Sequence, residues 1–344
     1  LGQAYQEADN CGEPATEEQI AKIREIVEKY SELEAGIAAA AQCPKYASQM
    51  DFSLDSTKFL DVFLKDGMEV RTAARLARWR AELLIRDGKS KEAVDQGIQL
   101  LRLARLHESE PLLVAFLVNV AVRNIAAQIL YDALAAGSIP AEQHAMLDGE
   151  LALCDDPQRL VRALRTERAL SASITTVENG GFPSQAEVNP IWVRLVGWPV
   201  KSLYVNALGS FDDQLTLAAR PWHEVYGRKS PAGKTPEKSG FGILADLLQP
   251  AVQAAHAANA RDLAMLRAVR IFNALTQFRE EHGREASGLE ELALPKEATI
   301  DLFSGEPLKL KHTEEGWIVY SVMDNGVDGG GDFQKLKDYG LAPR

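Results

Sequence analysis

The sequence predicts a mainly α protein, α+β overall: an irregular helical bundle with tetratricopeptide-like hairpins, closed by a small C-terminal antiparallel β module. Three observations carry this expectation. Apolar residues recur at helical spacing along most of residues 17–282. Small residues gather on the faces where helices would meet, and alternation with period two sets in only beyond Gly283. The expected organisation is a flexible lead-in (1–16), a helical body (17–240) that includes an irregular aromatic segment (183–240), and a long helix followed by the β module (241–344).

Thr16 and Gln19 form a capping-box pattern, and Ile20, Ile23, Ile26, Val27, Tyr30 and Leu33 follow at helical spacing, so one helix is expected to run to about Gln42, before Pro44. From Ser56 to Ala136 the helical signal is strongest, punctuated by Gly67, Gly88 and Gly137, with Pro111 opening a further helix. Ala73, Ala74, Ala77 and Ala81 make a small-residue face on its first helix, the mark of a close antiparallel hairpin. Ala81, Gly88 and Ala93 fall at tetratricopeptide spacing, but one copy does not make a repeat array.

A second helical pair spans Ala141–Leu153 and Pro157 to about Val177, with Asp156 as the expected N-cap. Residues 183–240 hold Trp192, Trp198 and Trp222 among prolines, and read as core plugs or a half-wet binding surface. Periodicity returns from Ile243 to Gly283, a helix of 30 to 40 residues with Pro250 in its first turns. Two alternating runs, Leu308–Lys311 and Trp317–Val322, flank Glu314-Glu315-Gly316 and predict a hairpin.

Composition narrows the function classes. Of 344 residues, 46% are apolar and 25% charged, the balance of a folded globular chain. Acidic residues outnumber basic ones 49 to 38, a net charge of −11, which argues against nucleic acid and anionic membranes as partners. No uninterrupted apolar run reaches a membrane span; the most apolar stretch, Pro111 to Val122, is too short and is followed by Arg123 and Asn124. The polar start at Leu1 without Met is what a removed leader or anchor would leave, and a domain cut from a larger protein would look similar. Cys11, Cys43 and Cys154 are too few for a disulfide scaffold; Cys11 with Cys43 is the pair to test, and three free thiols fit equally.

The stretch from about Arg267 to Asp332 carries Phe278-Arg279, Gly283, Leu289 and Leu292, then Asp301, Phe303, Gly305 and Pro307, then Tyr320-Ser321, Asp324-Asn325-Gly326 and Gly329-Gly330. In this order it resembles the C-terminal module of the type II secretion major pseudopilins. It departs from them at Glu285-Ala286, Leu302 and Met323, and in the roughly 260 residues that precede the match. The whole chain is similar to a group of uncharacterised planctomycete envelope proteins. The resemblance implies an exported protein of the periplasm, cell envelope or exterior, with no defined activity, and it implies calcium in the equivalent loop.

The chemistry of that loop permits calcium. Asp324, Asn325, Asp328 and Asp332 place four oxygen donors within nine residues, towards the about six to eight that calcium takes. The same side chains would also cap a solvated turn in which glycine supplies positive φ. Arg71, Arg75, Arg78, Arg80 and Arg86 could hold an anion, but Glu69, Glu82 and Asp87 lie beside them, so ion pairs on a helix surface are expected. The six histidines show no metal-ligand spacing, His256 reads as a packing residue, and Asp155-Asp156 and Asp212-Asp213 read as helix starts. No catalytic or nucleotide-binding motif stands in the sequence, which points to no catalytic or cofactor-binding residue.

The function expected is therefore an exported, non-enzymatic interaction or scaffold protein with an as yet unidentified protein partner. Two other readings stand beside it: a hydrolase of cell-envelope material with a cleft between body and β module, and a component of a secretion or pilus-like assembly.

Overall fold

The computed structural model describes residues 16–46, 56–108, 112–174, 209, 211–226, 243–333 and 338–343. The capping box at Thr16 is formed: its hydroxyl accepts from the Gln19 N–H, and the Gln19 side chain accepts from the Thr16 N–H. The helix it starts, α1 (Glu17–Lys29), does not continue to Gln42. It breaks at Tyr30, whose backbone leaves the helical region, and α2 (Ser31–Ala40) follows. The break has a packing reason. Ile20, Ile23 and Val27 bury against Leu76, Trp79 and Leu83, whereas Ile37 joins the main core.

The predicted hairpin is α3 (Ser56–Arg86) and α4 (Ser90–His107). Gly67 does not break α3; Gly88 does, at φ 71°, with the Lys89 N–H donating to Leu84 O at 2.8 Å in a Schellman-type close. Ala73, Ala74, Ala77 and Ala81 are buried as their spacing predicts. At the centre runs α5 (Leu113–Ala136), which lacks a side-chain cap of its own; Glu167 accepts from the Leu113 N–H at 3.2 Å. This helix is long and apolar enough to cross a membrane by length and composition, yet 56% of its most apolar window is buried in the fold. Close packing on it is visible at Gly97 of α4, where a Cβ would overlap Leu130.

Helix α6 (Ala141–Cys154) is followed by α7 (Arg159–Ile174). Asp156 accepts from the Gln158 N–H at 2.8 Å, but a turn at 157–158 intervenes and the helix starts at Arg159. A helical segment at 211–218, the short α8 (Trp222–Val225) and the 40-residue α9 (Ile243–His282) follow, the last ending at Gly283 with φ 64°. Helix α9 runs parallel to α5: Val252 and Ala255 lie by Phe116, Asp262 by Arg123, and Phe272 by Tyr131.

The hairpin is β1 (Lys309–Thr313) and β2 (Gly316–Ser321), with Lys309 opposite Tyr320 and Thr313 opposite Gly316. A third strand that the pattern did not announce, β3 (Tyr339–Leu341), pairs antiparallel with β2, giving the order β1-β2-β3. Val319, Leu341 and Leu308 join the core of α9. Residues 1–15, Cys11, Pro111 and most of the aromatic segment, including Trp192 and Trp198, lie outside the described residues.

Candidate functional site

The loop expected to hold calcium is built around a protein carboxylate. Asp338, 1% exposed, accepts from the Gly329, Gly331 and Asp332 N–H groups at 3.2, 2.8 and 3.2 Å. Gly330 and Gly331 take φ 72° and 82°, which turns successive N–H groups inward as in an anion-binding nest. Asp328 accepts from the Gly330 N–H and the Tyr320 hydroxyl at 2.8 and 2.9 Å, and its carboxyl lies below the usual range through the first of these bonds. Asn325 Oδ1 accepts from the Val327 N–H at 2.7 Å, and Asp324 is exposed. N–H donors thus converge on Asp338, and among the described residues no three His, Cys, Asp or Glu side chains gather as a metal site would.

Met323, just before the loop, is the one non-glycine with positive φ among the described residues, at 52°, and its side chain is buried. The module's other organiser is Asp301, also 1% exposed. It accepts from the Phe303 and Val322 N–H groups and from the Ser304 and Ser321 hydroxyls, at 2.9 to 3.3 Å. Burial nevertheless pushes its carboxyl above the ordinary range.

Inside the helical body, charges are paired over long stretches of chain. Arg123, fully buried in α5, donates to Asp262 of α9 at 2.8 Å and to Glu108. Arg159 donates to the same two carboxylates at 3.1 and 3.2 Å. Beside this group the Cys154 thiol is pushed up to about 11 by burial. Along α9, Arg267 clasps Asp155 and Arg270 clasps Asp148, each through two bonds of 2.6 to 3.0 Å. Asn273 continues this line to His144, whose other ring nitrogen faces Glu280 at 3.1 Å. Asp155, expected as a helix start, is thus one half of a body-to-helix clasp.

Two concavities remain as candidate sites. The cleft between body and β module holds about 90 Å³ among Tyr131, Phe272, Arg279, Glu285, His312 and Trp317. Glu285 is engaged there, accepting from the Trp317 indole N–H at 2.7 Å. A larger groove of about 400 Å³ opens between α2, α3 and α4, lined by Glu34, Arg80, Lys89, Asp95, Gln96 and Gln99 among others. Arg80 pairs with Glu34 at 3.2 Å, Arg86 with Glu82 at 4.0 Å, and Asp87 with Arg24 at 3.2 Å, so these members of the arginine series lie in ion pairs. Arg80 makes its ion pair through Nε, whereas buried Gln99 Oε1 has no hydrogen-bond partner among the described residues.

An aromatic cluster fastens the module to the body. Trp222, buried as core packing predicts, stacks near Tyr226, His256 and Phe303 with ring centroids 4.4 to 5.6 Å apart. His223 donates its backbone N–H and a ring N–H to Leu302 O, both at 3.1 Å. Burial holds His256 down at about 4, so it stays neutral at ordinary pH. Cys43 and Cys154 are free thiols.

Comparison with family models, curated proteins and solved structures returns no match.

Proposed function

We propose that the chain is a non-enzymatic interaction protein of the periplasm or cell envelope, which binds an extended peptide segment of a protein partner in the groove between α2, α3 and α4. The observation that carries this reading is the groove's size and lining. About 400 Å³ is in the range of ligand-binding clefts. Its wall mixes both charges with amides, the groups that pair with a peptide backbone and polar side chains. Gln99, on the groove wall, carries an Oε1 without a hydrogen-bond partner among the described residues, an acceptor that such a chain can satisfy.

A hydrolase would place its chemistry in the other cleft. About 90 Å³ is small for an envelope polymer, and Glu285 is already bound to Trp317 there. The test is binding of arrayed extended peptides of mixed charge, followed by fluorescence anisotropy. The wild-type chain should retain a subset that Arg80→Glu with Lys89→Glu releases by about tenfold or more; retention of none above scrambled controls would remove the reading.

The pilus-like alternative draws support from Met323, which holds a left-handed backbone where the pseudopilin pattern has glycine, and from Asp301 at the centre of the module. Calcium at Asp324, Asn325, Asp328 and Asp332 is a separable part of the proposal. It rests on four oxygen donors in a short loop, and a melting point unchanged between EDTA and added calcium would dismiss it.

A further inference from the structure

Helix α6 lies at the edge of the body, packed on α4 and α9, and turns the rest of its surface outward. Ala145, Met146, Gly149, Ala152 and Leu153 are all exposed, Met146 at 42% and Leu153 at 58%. At about 100° per residue, Gly149 marks the centre line of this face. Ala145 and Ala152 form one flank, Met146 and Leu153 the other. Nothing within the described chain accounts for Gly149. A Cβ there would meet no atom within 4 Å, although glycine in a helix interior lowers helix stability. A backbone approaching from outside would account for it.

We propose that this face of α6 is where two copies of the chain pair about a two-fold axis, with the two α6 helices crossing at Gly149. Shape points to a second copy because the face complements itself. In a two-fold pair of parallel helices, each large flank lies over the other copy's small flank, Met146 against Ala145 and Leu153 against Ala152.

Charge points the same way. The chain carries −11, so two copies repel over most of their surfaces. The exposed positions between Gln143 and Cys154 carry no charge. The acids bordering them are matched within the chain: Asp148 by Arg270 at 2.6 Å, and Glu150 by Arg102 and Arg105 at 2.7 and 3.2 Å. Glu142 stands at the end of the face, where crossing helices diverge. Area sets the strength. Fourteen residues make a helix ~21 Å long, whose one face is smaller than the ~800 Å² a stable interface buries per partner, so the pair is a weak one.

The surface is separate from the peptide groove, so its failure leaves that reading intact. Sedimentation velocity of the full chain from roughly 5 to 500 µM spans the affinity expected of so small a face. The wild type should pass from monomer to dimer over this range. Leu153→Glu should stay monomeric with an unchanged melting point. Gly149→Ala should melt higher yet pair about tenfold more weakly, a combination that a purely structural role would not give. A wild type that is monomeric at the highest concentration overturns the proposal, as does a Leu153→Glu chain that pairs like the wild type. A Leu153→Glu chain that melts lower at unchanged mass also overturns it, because the face would then be covered from within.

Discussion

The helical body and the C-terminal module both bury acidic side chains, and they stabilise them by different means. In the body, Asp262 meets Arg123 and Arg159, which lie 139 and 103 residues away in sequence. In the module, Asp338 draws its donors from Gly329, Gly331 and Asp332, six to nine residues away. Asp301 likewise depends on N–H and O–H groups, two of them from Phe303 and Ser304. A counter-charge supplied by a distant helix couples the acid to the whole fold. Backbone donors supplied nearby couple it to one turn. The first arrangement should therefore fail globally when broken and the second locally.

The sharpest way to break this contrast is Arg123→Met. Its removal leaves Asp262, Glu108 and Arg159 in a buried site with the charges no longer balanced, and Asp262 Oδ1 already has no partner among the described residues. Losing one member of a buried ion group costs about 3–5 kcal/mol. Urea unfolding should show the loss across helical and tryptophan signals together. A cost of about 1 kcal/mol or less would mean that water screens the group as it does a surface pair.

His256 gives the next largest effect, and its sign is fixed by its environment. The ring lies among Trp222 and Tyr226, and burial lowers it from 6.5 to about 4 in the folded chain. The folded protein therefore resists a proton that the unfolded chain accepts below about 6.5. The stability His256 confers is complete above that pH and is lost as the pH falls towards 4, by roughly 3 kcal/mol. Asp301 acts in the opposite direction: its raised carboxyl favours the folded state as acid is added. Chemical denaturation at about pH 7.5, above the window, and about pH 4.5, well inside it, should show a smaller stability difference in His256→Phe than in the wild type. Equal differences in the two chains would place the acid sensitivity elsewhere.

What could be read from the sequence follows the same division. Local signals were legible: the capping box at Thr16, the Gly88 turn, the β1–β2 hairpin and the end of α9 at Gly283 each depend on residues a few positions apart. The α1–α2 break at Tyr30 was not, because it answers to two different packing surfaces on α3 and the core. The arginine–carboxylate groups were invisible for the same reason. Asp155 and Asp262 look like ordinary helix acids until the fold brings Arg267 and Arg123 to them. The 324–332 loop reads in the sequence either as a calcium site or as a capped polar turn, and Asp338, beyond its far end, carries no signal that the loop closes on it.

That loop supplies the smallest and most local prediction. Asp338→Ala removes one acceptor from three inward N–H groups, of which Gly331 makes the shortest bond at 2.8 Å. The expected cost is about 2 kcal/mol, since each opened N–H can regain water at the surface where Gly329 is exposed. Asp338→Asn keeps one oxygen and should fall between alanine and wild type. Hydrogen exchange should rise at Gly329, Gly331 and Asp332 while the amides of α5 and α9 keep their protection. If protection in α5 fell as well, the module would be cooperative with the body, with Tyr339, which donates to Asn124 at 3.1 Å from the strand after Asp338, as the connection between them.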